Sequence, residues 1–471
     1  MIIPEGKNIL ICGAAGNTGR WFSLLLLKKG YTVFAYDKNK NFQPDNILSI
    51  QKDYHVVDET EFNNFTILKK VNGITLSPGV PLSQPIFKRA VENNIPVFTE
   101  PEFCAPYLNE KKWIAITGTD GKSTTTALIT HLLKSIKKEA VSCGNYGIPL
   151  SQILVEEEKY ADLEFLVMEL SSYQLELFRN LKSNAALFLN LADDHINRYE
   201  NLKEYRDAKW NIIKNSRKED FFIINTKLLQ EVLKEKNHPW NLKNKNNTPN
   251  VIEINCENIK SENFNWQNNT LFYKNKEKLL TTNNLQISGN HNLTNILFAL
   301  ETIKAILPNT GVTEYIHPLK NFRPLPHRFE IIHKEATDDK NRYINDSKAT
   351  TGQAVLKALE SIDPPFFIFM GGQSKGEDYT VLAKNLRKKY AIVFLFGKDK
   401  HILEKIFINE KVIVQGSYEI LTDAFLAAKE YQKKESIEKA TYLLSPAMTS
   451  WDQYKNFEER GNHFRNLVLE E

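Results

Sequence analysis

Cysteine is scarce in this chain. Four residues, Cys12, Cys104, Cys143 and Cys256, are scattered over 471 positions with no CxxC pair. They read as reduced thiols in a cytosol. Long apolar runs are absent as well. The longest, such as Tyr390 to Phe396, have the length of a buried strand and are far too short to span a bilayer. The N-terminus goes directly into a strand at Asn8 to Cys12, with no apolar signal core and cleavage site. No charge of one sign dominates: the formal net charge is +4. That value alone argues neither for nor against nucleic acid, but no basic cluster with interleaved aromatics accompanies it. The expectation is a cytoplasmic protein with no nucleic-acid partner and no membrane span.

What the chain does have is length and one organising stretch. At 471 residues it is too long for a single core, and two to four domains are expected. The stretch is Lys112 to Leu128, KWIAITGTDGKSTTTAL. Trp113 to Ile116 form an apolar strand run, Thr117 to Thr124 a Gly-rich turn, and Ala127, Leu128, His131 and Leu132 one apolar helix face. A strand, a Gly-rich turn and a helix aim backbone N–H groups and a helix N-terminus at one point, which suits a phosphate. Lys122 can reach terminal phosphates, and the Ser123 or Thr124 hydroxyl can hold Mg2+. The spacing departs from G-x-x-x-x-G-K-[ST], because Ile116 stands where the first Gly would be. An ordinary strand-to-helix turn with an exposed Lys is the competing reading. It ranks below ATP because strand, glycines, Lys-Ser-Thr and helix fall in order.

Upstream, Asn8 to Cys12, Gly13-Ala-Ala-Gly16-Asn-Thr-Gly19, a helix, and Tyr31 to Tyr36 ending at Asp37 form a Rossmann-like opening. Read alone, it fits a dinucleotide with Asp37 on a ribose, or merely a tight turn. Ser77-Pro78-Gly79 ends another strand, where α/β folds bind ligands. The Glu100-Pro101-Glu102 region with Pro106 reads as a linker. Downstream, Glu169 ends a strand and Asp193-Asp194-His195 another. A carboxylate and an imidazole at two strand ends beside a phosphate loop make a candidate metal site, against a helix-capping His. Lys209 lies beside an apolar helix face (Tyr205, Ala208, Ile212), and its spacing gives a solvated residue. A further linker falls near Asn321 to Pro324. Strand–helix alternation then resumes through Asn345-Asp346-Ser347-Lys348 and Gly371-Gly372-Gln373-Ser374-Lys375.

The motifs GTDGKST, ELSSYQLE, DDH, GNHN, LPHR, NDSKAT, GGQSKGEDY and LSPAMTSWDQYKNFEERGNHF occur in an order that resembles the Mur ligases over essentially the whole chain. The last four look most like the branch that adds D-glutamate. The resemblance implies a three-domain α/β fold. Residues 1–105 would be a Rossmann-like UDP-sugar domain, 106–323 a P-loop ATPase-like domain with a mostly parallel sheet, and 324–471 a Rossmann-like amino-acid domain. It implies a monomeric ATP-dependent amide ligase of peptidoglycan synthesis, joining D-glutamate to UDP-N-acetylmuramoyl-L-alanine through an acyl phosphate.

Residue by residue, the resemblance places ATP at Gly118, Thr119, Asp120, Gly121, Lys122, Ser123, Thr124, Asn292, Asn295, Arg328 and Asp346. It places the UDP-sugar at Asn17, Thr18, Asp37, Ser77, Gly79, Asn145 and His195, and D-glutamate at Thr350, Lys375, Ser450 and Phe457. Two Mg2+ sites would draw on Ser123, Glu169, His195 and Lys209, the last as a carbamate. Lys122, Lys209, His195 and Lys348 would serve catalysis. The resemblance thus reverses the solvated reading of Lys209. Four features differ from the family pattern: Asp120 stands in place of the usual Asn, Thr351 follows NDSKAT, the first turn reads GAAGNTG, and Trp451 replaces a smaller apolar residue. The competing readings are a Mur-type ligase for another amino acid, a folylpolyglutamate synthase-like ligase, an NAD-binding oxidoreductase and a non-catalytic nucleotide-binding protein.

Overall fold

A computed structural model describes residues 6–39, 42–77, 80, 83–192, 201–235, 238, 248–287, 289–323, 325–332, 340–360, 362–374 and 376–470. The chain forms two compact units, Met1–Phe322 and Arg323–Glu471.

The first unit holds two parallel sheets and a small antiparallel one. Strands β1 (Asn8–Cys12), β2 (Thr32–Tyr36), β3 (Tyr54–Val56), β4 (Gly73–Leu76) and β5 (Val97–Phe98) lie in the order 3-2-1-4-5, all parallel. Helix α1 (Asn17–Lys28) follows β1. After α2 (Glu100–Cys104), the second sheet is built from β6 (Lys112–Thr117), β7 (Ala140–Gly144), β8 (Phe165–Glu169), β9 (Ala185–Phe188), β10 (Phe221–Asn225) and β11 (Asn250–Ile254). Its order is 11-10-9-6-8-7, again parallel. Parallel strands carry helices on both faces. That is why Ile114, Ala115 and Ile116 are all buried, without alternation. The antiparallel sheet is β12 (Phe264–Gln267), β13 (Thr270–Tyr273) and β14 (Glu277–Thr281).

The topology decides where a ligand can sit. The chain leaves β6 for β7 and β8 on one side, then returns to place β9 on the other. The end of β6 is therefore a switch point, where the connections on either side part and leave a crevice. Helix α3 (Lys122–Ser135) follows that end directly.

The linker expected around Glu100 to Pro106 is instead a buried helix. Pro101 takes a first-turn position, where its missing N–H costs nothing. The two acids serve as long-range caps. Glu100 Oε1 accepts from the Ser151 N–H at 2.5 Å, at the start of α4 (Leu150–Val155). Glu102 accepts from Asn180 N at 3.1 Å and from Asn180 Nδ2 at 2.5 Å. One apolar core, with Phe22, Phe98 and Phe103 against Leu150 and Ile153, runs across both parallel sheets of this unit. Residue 105, where a boundary was expected, falls inside the compact unit Met1–Phe322.

The second unit is one sheet of β15 (Glu330–Ile332), β16 (Arg342–Asn345), β17 (Phe366–Gly371), β18 (Ile392–Phe396), β19 (Ile413–Tyr418) and β20 (Thr441–Ala447), in the order 15-16-20-17-18-19. Only β15 pairs antiparallel among its described ladders. Strands β16, β20 and β17 are neighbours, so the loops leaving their C-terminal ends converge.

Burial pushes the Glu100 carboxyl up to about 6 from an ordinary 4.5, against the opposing pull of its hydrogen bonds. The folded state then holds the proton more tightly than the unfolded chain. Stability from this group is greatest below the unfolded value and is lost as pH rises through about 6, by on the order of 2 kcal/mol. The Glu100→Gln variant lacks this titration. Its melting temperature relative to wild type is expected to rise between pH 4.5 and 6.5 and level off above; a flat difference would show that Glu100 does not titrate in that range.

Candidate nucleotide and amino-acid sites

The Gly-rich turn after β6 is held by its neighbours on both sides. Gly121 caps α3 with φ +77°, and a Cβ there would lie 2.4 Å from Asn295 Oδ1. That left-handed backbone and that closeness both call for glycine. Asn190, just past β9, accepts from Asp120 N at 2.9 Å and donates to Asp120 O at 3.0 Å. Thr119 Oγ1 accepts from Ala192 N at 3.0 Å. Asn190 was not singled out from the sequence; an Asn closing the strand before DDH was the available signal. Lys122 Nζ donates back to the carbonyls of Gly118 (2.9 Å) and Thr119 (2.7 Å).

Beside the turn, buried Ser123 donates from Oγ to Glu169 Oε2, and Asn145 Nδ2 donates to Glu169 Oε1 at 2.9 Å. Strand order brings them together, because β8, which ends in Glu169, lies between β6 and β7. A carboxylate and a hydroxyl at a helix N-terminus are hard oxygen donors, a set that fits Mg2+. No cluster of three or more His, Cys, Asp or Glu ligands forms among the described residues. His195, with Asp193 and Asp194, lies outside those residues, so the second metal site expected there is not part of this geometry.

Lys209 corrects its spacing-based reading. It is 1% exposed, on α6 (Leu202–Trp210), which follows the short helix α5 (Ser172–Leu177). Its Nζ donates to Gly118 O at 2.8 Å and stands 4.4 Å from the Tyr205 ring centre. Helix α6 packs against α5, and the burial of Lys209 is a tertiary fact that one helix's periodicity does not contain. A carbamate on this nitrogen would keep one N–H for Gly118 while adding anionic oxygens, so the group fits. Asn292 and Asn295 stand on the first turns of α7 (Asn290–Ile306), with Asn295 Nδ2 3.4 Å from Asn292 Oδ1.

A cleft in the same unit is lined by Thr18, Ser77, Glu100, Gly144, Tyr173 and Gln174 among others. Thr18 and Ser77 were expected as UDP-sugar contacts; Tyr173 and Gln174 were quoted only within a motif. Ser77 Oγ donates to Gly13 O at 2.8 Å. Asp37 accepts from Ala15 N and Asn39 N, each at 2.9 Å, and so braces the first glycine turn. Asn17 opens α1. Gly79 lies outside the described residues.

In the second unit, Asp346 is buried. It accepts from Ser445 Oγ at 2.8 Å and Phe329 N at 3.1 Å. Burial pushes its carboxyl up to about 7, opposed by those bonds and by Arg328. Lys348 Nζ stands 4.8 Å from the ring centre of Phe457, the first residue of α8 (Phe457–Leu469). Thr350 N donates to Lys348 O at 2.8 Å. Ser450 is 2% exposed, and its Oγ has no hydrogen-bond partner among the described residues. An orphaned buried hydroxyl costs about 1–3 kcal/mol, which an incoming acceptor would remove. Trp451 beside it is 68% exposed. Lys375 lies outside the described residues.

Comparison with known proteins adds a family to this geometry. The profile described as "Mur ligase middle domain" matches residues 116–303. The chain is 31% identical to the UDP-N-acetylmuramoylalanine–D-glutamate ligase of Caldicellulosiruptor saccharolyticus, over 99% of each chain. It is 31% identical to the enzyme of the same name from Fervidobacterium nodosum, over 96% of this chain and 97% of that one. Among solved structures, UDP-N-acetylmuramate–alanine ligase from Thermotoga maritima superposes with a TM-score of 0.58 at 17% identity, covering 97% of this chain and 98% of the other. The Thermotoga maritima MurF ligase solved with ADP gives 0.54 at 15%, covering 89% and 93%. The two structures share the fold. Among the described residues no helix is long and apolar enough to cross a membrane. At this identity, over nearly its whole length, the chain belongs to the Mur ligase family, alongside the UDP-N-acetylmuramoylalanine–D-glutamate ligases.

Proposed function

We propose that the chain is an ATP-dependent amide ligase that joins D-glutamate to UDP-N-acetylmuramoyl-L-alanine, releasing ADP and phosphate, in peptidoglycan synthesis. The observation that carries the reading is the convergence of Lys122, Ser123, Glu169 and Lys209 on one turn at a switch point. That set suits phosphoryl transfer, and the family relationship supplies the substrates.

A carboxylate is a poor acyl donor because its leaving oxygen is strongly basic. Moving the γ-phosphoryl group of ATP onto it gives an acyl phosphate. The amine of D-glutamate then adds to the carbonyl, and the tetrahedral intermediate expels phosphate as the amide forms. Negative charge accumulates at both steps, so fixed donors and cations lower the barrier. The backbone N–H groups from Gly118 to Thr124 would receive the phosphates. Lys122 would leave its loop carbonyls for the transferring group, and Asn292 and Asn295 would flank the nucleotide. Bound Mg2+, held by Ser123 and Glu169 with carbamylated Lys209 and His195 serving a second ion, would offset phosphate charge. Within the second unit, the family relationship assigns Arg328, Asp346 and Lys348 to ATP. D-Glutamate, a dianionic amino acid, would meet Lys375, Thr350, Ser450 and Phe457. Residues 1–105 would take the UDP-sugar through Asn17, Thr18, Asp37, Ser77 and Gly79, with Asn145 and His195 beside it. We read the enzyme as a cytoplasmic monomer.

Phosphate release with ATP, Mg2+ and the nucleotide sugar is expected to require D-glutamate. L-glutamate, L-lysine and meso-diaminopimelate are not expected to replace it. Release with one of those instead would move the specificity within the family, and release with none would defeat the ligase reading.

Replacing Lys122 with Ala is expected to lower kcat by about 10²-fold or more, as for loss of a transition-state donor, with the melting temperature held. An unchanged kcat would remove Lys122 from the chemistry.

For Lys209, a carbamate carbon signal is expected by NMR under 13CO2 and is lost in Lys209→Ala. A spectrum identical in both proteins would exclude the modification.

A further inference from the structure

Arg460 is wholly buried on α8, and its guanidinium reaches the backbone at three separate strand ends. Nε donates to Ser347 Oγ at 3.0 Å and Nη2 to Ser347 O at 2.8 Å, just past β16. Nη1 donates to Met448 O at 3.1 Å, just past β20, and to Gly371 O at 3.5 Å, at the end of β17. Ser347 Oγ passes the contact on to Phe457 O at 2.8 Å. The surroundings are shaped around this group. A Cβ on Gly372 would lie 2.1 Å from Thr449 O and 3.2 Å from Arg460 Nη1. Gln373 and Thr449 exchange backbone bonds of 2.9 and 3.0 Å, which keeps the β17 and β20 ends in register.

These are the loops that carry the candidate amino-acid and phosphate residues of the unit. Ser347 stands between Asp346 and Lys348, Met448 precedes Thr449 and Ser450, and Phe457 is tied through Ser347. Burying a cation is costly. Burial pulls the Arg460 pKa down to about 10, which still leaves it charged at neutral pH. Here the charge is met by carbonyl oxygens from three segments, of which those after β17 and β20 also share the Gln373–Thr449 bridge. Only a planar fork of several N–H groups can satisfy such a set at once; an ammonium is a single point donor.

We propose that Arg460 is the positioning residue of the amino-acid site, setting the mutual spacing of the loops after β16, β17 and β20 so that Lys348, Ser450 and Phe457 face one ligand. The proposal rests on the reading of these loops as the D-glutamate site. Arg460 itself touches no substrate in this account.

The test uses the full chain with Arg460→Lys and Arg460→Ala. In Arg460→Lys, KM for D-glutamate is expected to rise at least tenfold, while KM for the nucleotide sugar stays within twofold. Guanidinium ion added to Arg460→Ala is expected to recover part of the loss. Hydrogen exchange is expected to quicken together in residues 346–350, 371–374 and 447–450, with the strand interiors unchanged. Should both variants fail to fold, Ser347→Ala removes one acceptor only, and a severalfold rise in KM for D-glutamate is expected of it. A D-glutamate KM within twofold of wild type, or loosening of one loop alone, would overturn the proposal. If wild type turns over no amino acid, the functional reading fails, and the exchange result still decides the role of Arg460.

Discussion

The buried carboxylate of Glu169 constrains the first unit more than any other single group. A carboxylate that far from water needs hydrogen bonds at both oxygens, and it has them from Ser123 and Asn145. Ser123 can donate only because α3 begins immediately after Gly121. Gly121 can turn there only because it tolerates a positive φ. Asn190 then secures the other side of the turn through Asp120. One electrostatic requirement thus ties the ends of β6, β7 and β8 together, and Asn190 adds the end of β9.

The second unit solves a similar problem with the opposite charge. There a buried guanidinium collects the carbonyls at three adjacent strand ends, while the Ser450 hydroxyl is buried without a hydrogen-bond partner among the described residues. In both units the parallel sheet brings loops from distant sequence together, and one buried ion fixes their spacing. A polar group held in place beforehand stabilises charge that develops during reaction without paying for reorganisation.

Much of this was legible locally. The Gly-rich turn, its Lys and Ser, and the strand ahead of it follow one another in sequence, so propensity and spacing suffice. Asp37 and Ser77 were placed at the right strand ends as well, although the structure shows them bracing their own loops. What failed was whatever depends on which elements pack together. Glu100, Pro101 and Glu102 have the composition of a linker, yet their carboxylates cap groups at Ser151 and Asn180. Lys209 looks solvated on its own helix and is buried by a neighbour. Arg460 sits in a run of charged residues, FEERGNHF, where nothing in the spacing separates it from the exposed glutamates at 458 and 459. Family resemblance singled out Lys209 but gave no role to Asn190 or Arg460.

On the proposed mechanism the turn after β6 activates a carboxylate by phosphoryl transfer. The most direct measurement follows the oxygen. UDP-N-acetylmuramoyl-L-alanine labelled with 18O in its carboxylate is turned over with ATP and D-glutamate, and the released phosphate is examined by mass spectrometry. One labelled oxygen is expected in each phosphate formed from labelled carboxylate, because the acyl phosphate breaks between carbon and oxygen. Amide product accompanied by unlabelled phosphate would contradict that mechanism.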